Sequence, residues 1–160
     1  MKLAIDTNVP IAANGRNTHA EPGCQIRCIE LLEQIATGKL DAVVVLDEGG
    51  QLMDEYSPYL NFRGQPGVGD LFFKFLHDHM YGGKRVELVQ ITPIQDEDRG
   101  FEELPANEMD PSDRKLLAIA VTADADVVNA LDTDWFEQNE LLAQLNVAVK
   151  QLCPEHACAA

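Results

Sequence analysis

The sequence predicts a single α/β domain, a three-layer sandwich in which helices cover both faces of a mainly parallel β-sheet. Short apolar runs rich in β-branched residues alternate along the chain with segments of helical periodicity. The run at residues 41–46 is nearly all apolar, as expected for a strand covered on both faces. A chain of 160 residues is long enough for one buried core. We assign residues 1–150 to the domain and residues 151–160 to a C-terminal tail.

Local patterns place the elements in the first half of the chain. Each predicted strand is a short apolar run, and each predicted helix has an apolar stripe at a spacing of three and four residues. Asp47 can cap the helix after the second strand, and Gly64, Gly67 and Gly69 indicate a flexible loop at residues 61–69. In order, the elements are a strand at 2–6, a helix from Thr7, a helix at 24–37, a strand at 41–46, a helix from Asp47 towards Leu60 and a helix at 70–80.

The second half is dominated by a predicted helix between Asp110 and Ala125. Asp110 can cap this helix, Pro111 suits its first position, and leucines and alanines recur at helical spacing after it. Residues 92–109 form an acidic, proline-containing connection in front of it. The other elements are strands at 86–91, 127–128 and 147–149 and a helix at 135–145.

The chain is strongly acidic, with a formal net charge of −15. Such a surface does not by itself attract a polyanion, because phosphate contacts normally dominate nucleic-acid affinity. Two explanations remain: the acids form a solubilising surface, or several of them converge and bind divalent cations. No stretch of the sequence reaches the length of a membrane span, and the N-terminus lacks an apolar signal segment. We therefore expect a cytoplasmic protein that does not insert into a membrane.

Four cysteines lie in two close pairs, Cys24 with Cys28 and Cys153 with Cys158. Without a secretion signal we expect no disulfide framework. Cys24 and Cys28 fit one face of a helix as small core residues, which is the favoured interpretation. The alternative is a zinc site built from the four thiolates, with His156 as a further candidate ligand.

Acidic residues follow or flank the ends of the predicted strands. Asp6 follows the first strand, and Asp132 follows the strand at 127–128. Glu55 and Asp113 belong to helices that start near the same edge of the sheet. Ligands of parallel α/β sheets bind outside the carboxyl ends of the strands. We therefore expect these acids to approach one another at that edge.

Three of the acids near this edge also have a structural interpretation. Asp6 can cap the helix that starts at Thr7. Asp113 stands three residues after Asp110, so it can complete a capping box and complement the helix dipole. Asp110 itself is expected to be the cap of this helix, in a supporting role.

In each of two further pairs of acids, either member could be the metal ligand. Asp134 and Glu137 form the better capping box at the start of the helix at 135–145, which leaves Asp132 free to bind a metal. The roles of Asp132 and Asp134 can be exchanged. Glu48 lies seven residues before Glu55 and shares its helix face, so it is the alternative to Glu55.

Four segments together resemble the PIN-domain nucleases. Each match is short, but the four occur in the family's order and with matching spacings over almost the whole chain. The segments are Ile5–Asn8 (IDTN), Leu46–Tyr56 (LDEGGQLMDEY), Asp110–Ala120 (DPSDRKLLAIA) and Ala125–Trp135 (ADVVNALDTDW). Two features depart from the family pattern: Ala130 replaces the common threonine before the fourth acid, and residues 61–85 form a longer segment than in compact toxin-like members.

The resemblance implies a PIN-like fold and a metal-dependent ribonuclease. The four acids of the family correspond to Asp6, Glu55, Asp113 and Asp132, and Asn8 would orient a ligand or the attacking water. RNA is the implied substrate, with a 5′-phosphate and a 3′-hydroxyl as the implied product ends. Toxin-like members are inhibited by a small antitoxin-like protein, and related domains often dimerise, so an inhibitor and a homodimer are further expectations.

The residue types agree with this chemistry. Mg²⁺ and Mn²⁺ prefer oxygen ligands, and a cluster of Asp and Glu without His or Cys suits them. One or two such ions could activate a water molecule and stabilise the leaving oxygen of a phosphodiester. Arg114 and Lys115 lie directly after Asp113, so we expect them to contact the phosphates of the substrate.

Two other functions remain open at the level of the sequence. A phosphotransfer domain would use Asp6 as a nucleophile, but the haloacid-dehalogenase pattern needs a second aspartate where Asn8 stands. A PIN-like fold with a degenerate site could serve only as a partner protein. Ala130 permits this interpretation, whereas the retained acids argue against it.

Overall fold

Five parallel strands form the central layer of the fold. A computed structural model describes residues 1–158, and residues 159 and 160 of the predicted tail lie outside the described residues. The strands are β1 (Lys2–Ile5), β2 (Val43–Asp47), β3 (Val86–Val89), β4 (Asp126–Asn129) and β5 (Val149–Gln151). Their order is β3-β2-β1-β4-β5, and every neighbouring pair is parallel. The predicted α/β class with a mainly parallel sheet is therefore confirmed.

Helices complete the three-layer sandwich. The longest is α2, which begins at Pro22 and ends before Gly38, whose left-handed conformation (φ 78°) closes the helix as predicted. The helices of the described residues are α1 (Asn8–Asn14), α2 (Pro22–Thr37), α3 (Gln51–Tyr56), α4 (Val68–His79), α5 (Arg114–Ala123), α6 (Asp134–Glu137), α7 (Asn139–Gln144) and α8 (Pro154–Ala157).

The central helix starts later than the sequence predicts. Pro111–Asp113 form a single 3₁₀ turn, and α5 begins only at Arg114. The side chain of Asp110 accepts a hydrogen bond from the backbone N–H of Ser112 at 2.9 Å, which confirms Asp110 as the cap. This tight turn places Asp113 at the junction between the two helical segments, where it makes no capping bond of its own.

The last strand also starts later than predicted. The backbone N–H of Val147 donates to the carbonyl of Leu142 at 2.9 Å, and Asn146 is left-handed with φ 58°. These residues therefore close the end of α7, and β5 begins at Val149. The predicted helix at 135–145 is two short helices, because Gln138 interrupts it with φ −90° and ψ 28°.

Gly69 allows helices α1 and α4 to pack closely together. A Cβ atom at this position would lie 1.9 Å from the carbonyl oxygen of Pro10 and 2.8 Å from Oδ1 of Asn14. Such distances exclude any larger side chain. The assignment of Gly69 to a flexible loop is therefore wrong, since this glycine lies within α4 against α1.

A disulfide joins Cys24 in the first turn of α2 to Cys153 after β5. The expectation of no disulfide is wrong for this pair. The sequence separation is 129 residues, and the two Cα atoms lie only 5.5 Å apart because the start of α2 packs beside the end of β5. Cys28 is a free, buried thiol and Cys158 is a free, partly exposed one. Two of the four proposed zinc ligands are consumed by the disulfide.

The end of the described chain belongs to the fold. Strand β5 crosses residue 150, which was the predicted end of the domain, and Cys153 and Ala157 are fully buried. No helix among residues 1–158 combines the length and the apolar character needed to cross a membrane.

Candidate functional site

Three aspartates converge at the carboxyl edge of the sheet. Asp6 directly follows β1, Asp132 lies three residues after β4, and Asp113 ends the 3₁₀ turn before α5. One carboxylate oxygen from each of them lies within 4.8 Å of the others. Strands β1 and β4 are parallel neighbours, so the chain leaves both strands at the same edge, which brings Asp6 and Asp132 together.

The three aspartates open into a cleft, which we call the acid cleft. Its volume is about 410 Å³. Glu55 and Asn8 also face it, together with an aromatic residue, Tyr59, that the sequence analysis did not single out. The lining residues are Asp6, Thr7, Asn8, Ile11, His19, Glu55, Tyr59, Ser112, Asp113, Leu131 and Asp132.

Asp6 is the most deeply buried acid of the cleft, with 8% of its surface exposed. Burial raises the pKa of its carboxyl to about 7, and the negative charges of Asp132 and Glu55 add to the increase. The indole N–H of Trp135 opposes it by donating to Oδ2 of Asp6 at 2.6 Å. Asp6 is thus held in place by a buried donor, while its closest ionisable neighbours have the same charge.

Asp113 is also held in surroundings that disfavour its negative charge. Burial raises the pKa of this carboxyl to about 9, and the charges of Asp6 and Asp132 contribute in the same direction. Its side chain makes no capping bond, so the capping-box alternative is wrong. Asp113 instead points its carboxylate at two others.

Asp132, and not Asp134, contacts the start of α6. Oδ1 of Asp132 accepts the backbone N–H of Asp134 at 2.9 Å, and the side chain of Asp134 makes no capping bond. The predicted capping box of Asp134 with Glu137 is therefore wrong, because the helix already begins at Asp134. Burial raises the pKa of Asp132, and the charge of Asp134 contributes, while this N–H lowers it. A side-chain hydrogen bond with Asp134 also contributes to the raised pKa of Asp113, and Asp134 itself does not line the cleft.

Glu55 faces the acid cleft outside the compact group of three aspartates. Its Oε1 accepts a hydrogen bond from Nζ of Lys115 at 2.8 Å, and its Oε2 accepts one from the hydroxyl of Thr7. The alternative residue, Glu48, is exposed and does not line the cleft. Of the two acids on this helix face, Glu55 is therefore the one near the site.

The two basic residues predicted to contact phosphates are already engaged. Lys115 forms the ion pair with Glu55. Arg114 is 8% exposed, and its guanidinium donates to the backbone carbonyls of Glu97 at 2.7 Å and Asn107 at 3.0 Å. Arg114 thus fastens the 92–109 connection to α5. Because the Arg114 guanidinium is buried and bound to these carbonyls, it does not fit the prediction that Arg114 contacts a substrate phosphate.

Asn8 positions the loop that carries Asp132. Its Oδ1 accepts the backbone N–H groups of Ala130 and Leu131 at 3.0 and 3.2 Å, and its Nδ2 donates to Asn129 at 3.0 Å. Since both ends of the amide are used by the protein, Asn8 acts on the loop. Of the two predicted roles, these contacts agree with orienting a ligand, since the loop carries Asp132, and not with orienting a water molecule.

Asn129 and Trp135 are functional candidates that the sequence analysis missed. Asn129 is fully buried at the end of β4, where its side chain bonds to the backbone N–H and carbonyl of Asp132 at 3.2 and 2.8 Å. Trp135 is the only tryptophan of the chain, and it is 1% exposed. An asparagine ending a strand and a lone tryptophan beside an acidic loop were the available signals.

Comparison with protein-family models, with curated proteins and with solved structures gives no match. The resemblance to PIN-domain nucleases therefore stays a prediction, and the functional interpretation depends on the geometry of the acid cleft.

Proposed function

We propose that this protein is a metal-dependent phosphodiesterase, an endoribonuclease that uses Mg²⁺ or Mn²⁺. The observation that carries the proposal is the convergence of the Asp6, Asp113 and Asp132 carboxylates within 4.8 Å at the carboxyl edge of a parallel sheet. Three aspartates so close together repel one another unless they bind protons or cations. The site therefore favours a positively charged ligand.

The donor set fits a hard divalent cation. Asp6, Asp113 and Asp132 offer only carboxylate oxygens, which Mg²⁺ and Mn²⁺ prefer over nitrogen and sulfur ligands. Among residues 1–158, no lysine or arginine lines the acid cleft, so neither residue type compensates these carboxylates there. A bound divalent ion would compensate the charges of the aspartates and attract a phosphate group.

The acidic residues of the cleft and the side chains that hold them can each be given a part in this chemistry. The three aspartates would hold the metal, which on binding would activate a water molecule and stabilise the leaving oxygen of the phosphodiester. Trp135 and Asn129 fix the orientation of Asp6 and of the Asp132 loop. Glu55, paired with Lys115, lies beside the metal ligands and would orient the water or a second ion. The choice of RNA as substrate depends on the resemblance to PIN-domain nucleases.

The test is cleavage of an end-labelled single-stranded RNA with Mn²⁺ and with EDTA. We expect cleavage in Mn²⁺ alone, with 5′-phosphate and 3′-hydroxyl ends, and its loss in Asp6→Asn and Asp113→Asn. Asp126→Asn is the matched control, because Asp126 is an exposed aspartate at the opposite edge of the sheet.

Two results would contradict the proposal. Full Mn²⁺-dependent cleavage by both site variants would exclude Asp6 and Asp113 as ligands. Absence of both cleavage and metal binding in calorimetry with the wild-type protein would favour a degenerate PIN-like partner protein. Covalent labelling of Asp6 by a phosphoryl donor would favour the phosphotransfer alternative.

A further inference from the structure

One wall of the acid cleft carries an exposed aromatic ring. Tyr59 is 56% exposed although it lines the cleft. It follows Glu55 by four residues, and the backbone N–H groups of Tyr59 and Leu60 both donate to the carbonyl of Tyr56, at 3.0 and 3.1 Å. The chain after α3 thus continues in a helical turn, which places Tyr59 on the same side as Glu55.

Apolar and aromatic side chains form a further part of this lining. Ile11 and Leu131 line the cleft, and so does His19, whose ring packs edge to face against His156 with centroids 5.8 Å apart. This contact restrains the His19 ring at the rim. The acid cleft therefore combines a cluster of carboxylates with flat and apolar surfaces suited to an uncharged ring.

The cleft offers its substrate few cationic contacts. Within the part of the chain that the structure describes, no lysine or arginine lines it, and the nearby Nζ of Lys115 is bound to Glu55. Arg16, in the loop after α1, has its guanidinium bound to Asp70 at 2.6 Å. Proteins that bind nucleic acids usually gain most of their affinity from phosphate contacts. Within the cleft itself, contacts beyond the reacting phosphate therefore come mainly from uncharged groups.

We propose that Tyr59 is a stacking platform for a nucleobase next to the scissile phosphate, which makes the substrate class single-stranded nucleic acid. This inference rests on the proposed phosphodiesterase function. Base–aromatic stacking tolerates any sequence, since every base has a flat face, and it requires a base that is free from duplex stacking. A base paired within a duplex could not lie on Tyr59 while its phosphate reaches the aspartates.

The first experiment measures binding of short fluorescent single-stranded oligonucleotides with Ca²⁺ in place of Mn²⁺. We expect Tyr59→Ala to weaken binding roughly tenfold or more, and Tyr59→Phe and Tyr59→Trp to stay within about threefold of wild type. The fluorescence of Tyr59→Trp should be quenched on binding. This change should come from the introduced tryptophan, because the native Trp135 is buried. Tyr81→Ala is the matched control, because Tyr81 is 86% exposed and lies outside the cleft.

The second experiment tests the stacked base directly. An oligonucleotide lacking the base beside the cleavage point should bind wild type and Tyr59→Ala equally, and a duplex of the same sequence should bind at least about tenfold more weakly than the single strand. The slope of log K against log salt should be no steeper than that of one phosphate contact, about −0.7.

The outcomes separate this inference from the proposed function. Metal-dependent cleavage with equal single-strand and duplex binding, unchanged in Tyr59→Ala, would overturn the role of Tyr59 and leave the phosphodiesterase standing. Tyr59-dependent binding of single strands without cleavage would support the platform and overturn the enzymatic assignment. Failure to bind any oligonucleotide in the presence of Ca²⁺ would overturn the platform.

Discussion

The buried carboxylate of Asp70 and the carboxylates of the acid cleft have opposite surroundings. Asp70, in α4, is fully buried, and its oxygens accept hydrogen bonds from the backbone N–H groups of Asn61 and Gly67 at 2.8 and 2.9 Å. The amide of Asn14 at 3.0 Å and the guanidinium of Arg16 at 2.6 Å complete its partners. Burial alone would raise the pKa of Asp70, but these donors hold it below its usual value.

The aspartates of the acid cleft have fewer such donors among the described residues. Asp6 accepts the indole N–H of Trp135, yet its nearest charged neighbours, Asp132 and Glu55, are also acids, and its pKa rises to about 7. The comparison separates two uses of a buried aspartate. Asp70 is satisfied by the protein and ties α4 to α1 and to the loop before it, whereas the cleft aspartates need a cation from solution.

The sharpest test is the same substitution at both places. Asp70→Asn puts an NH₂ group where donors point, so the free energy of unfolding should fall by about 3 kcal/mol. Asp113→Asn removes one of three repelling carboxylates, so the free energy of unfolding of the metal-free protein should stay level or rise by up to about 1 kcal/mol. Urea unfolding at pH 7 in EDTA measures both. Equal destabilisation by the two substitutions would remove the distinction between the sites.

The gain in unfolding free energy on metal binding should also distinguish the two sites, by slightly less than the substitutions do. At a Mn²⁺ concentration of about 100 times Kd, the wild-type protein should gain about 2.7 kcal/mol of unfolding free energy. Asp70→Asn should gain the same increment from a lower starting value, and Asp6→Asn should gain little. Thermal melting with Mn²⁺ and with EDTA measures this. An undiminished gain in Asp6→Asn would place the metal elsewhere.

The fold and the position of the site were accessible from the sequence because both follow from local patterns. Apolar strands alternating with helices predict parallel pairing, and parallel pairing predicts that Asp6 and Asp132 leave the sheet at one edge. The capping role of Asp110 likewise depends on residues only two positions away. For these features a short stretch of chain determines the geometry, whereas the starts of α5 and α6 show that a local capping pattern can still misplace a helix start by a few residues.

Several of the errors concern side chains whose partners lie outside their own helix or strand. Arg114 follows Asp113 in sequence, but successive residues of a helix point about 100° apart, so its guanidinium turns into the 92–109 connection. The bond from Trp135 to Asp6 spans 129 residues, and so does the Cys24–Cys153 disulfide. No local pattern in one sequence encodes such contacts, because tertiary packing decides which side chains meet.

The pH dependence of stability gives a third way to compare the two sites, in EDTA. The pKa values of Asp6 and Asp113, about 7 and about 9, exceed the unfolded value, so the folded state binds more protons above pH 4. Stability should therefore fall as pH rises from 5 to 8, with an upper limit of about 1.4 kcal/mol per pH unit for each proton, which solvent screening reduces at the partly exposed Asp113. Asp70 has a lowered pKa, so its contribution is lost only when pH falls below about 4. Urea unfolding across this range measures the slope, and Asp113→Asn should show a smaller pH dependence than the wild-type protein. A rise in stability from pH 5 to 8 would contradict the view that the cleft aspartates have no compensating positive charge in EDTA.

The smallest expected effect concerns Trp135, whose buried indole N–H donates to Asp6 much as the partners of Asp70 donate to that carboxylate. Trp135→Phe removes the N–H that holds Oδ2 of Asp6 and keeps most of the buried ring, so the unfolding free energy in EDTA should fall by only about 1 kcal/mol. A ligand that has lost its orienting partner binds metal more weakly, so the Kd for Mn²⁺ should rise roughly tenfold. The same N–H lowers the pKa of Asp6, so metal binding should also require a higher pH in this variant. Calorimetric titration at several pH values measures both the change in Kd and the change in its pH dependence. Phe136→Leu is the control, because Phe136 is the neighbouring residue and is exposed. If affinity and pH profile match those of the wild-type protein, Trp135 only fills the core, and Asp6 is oriented by its backbone alone.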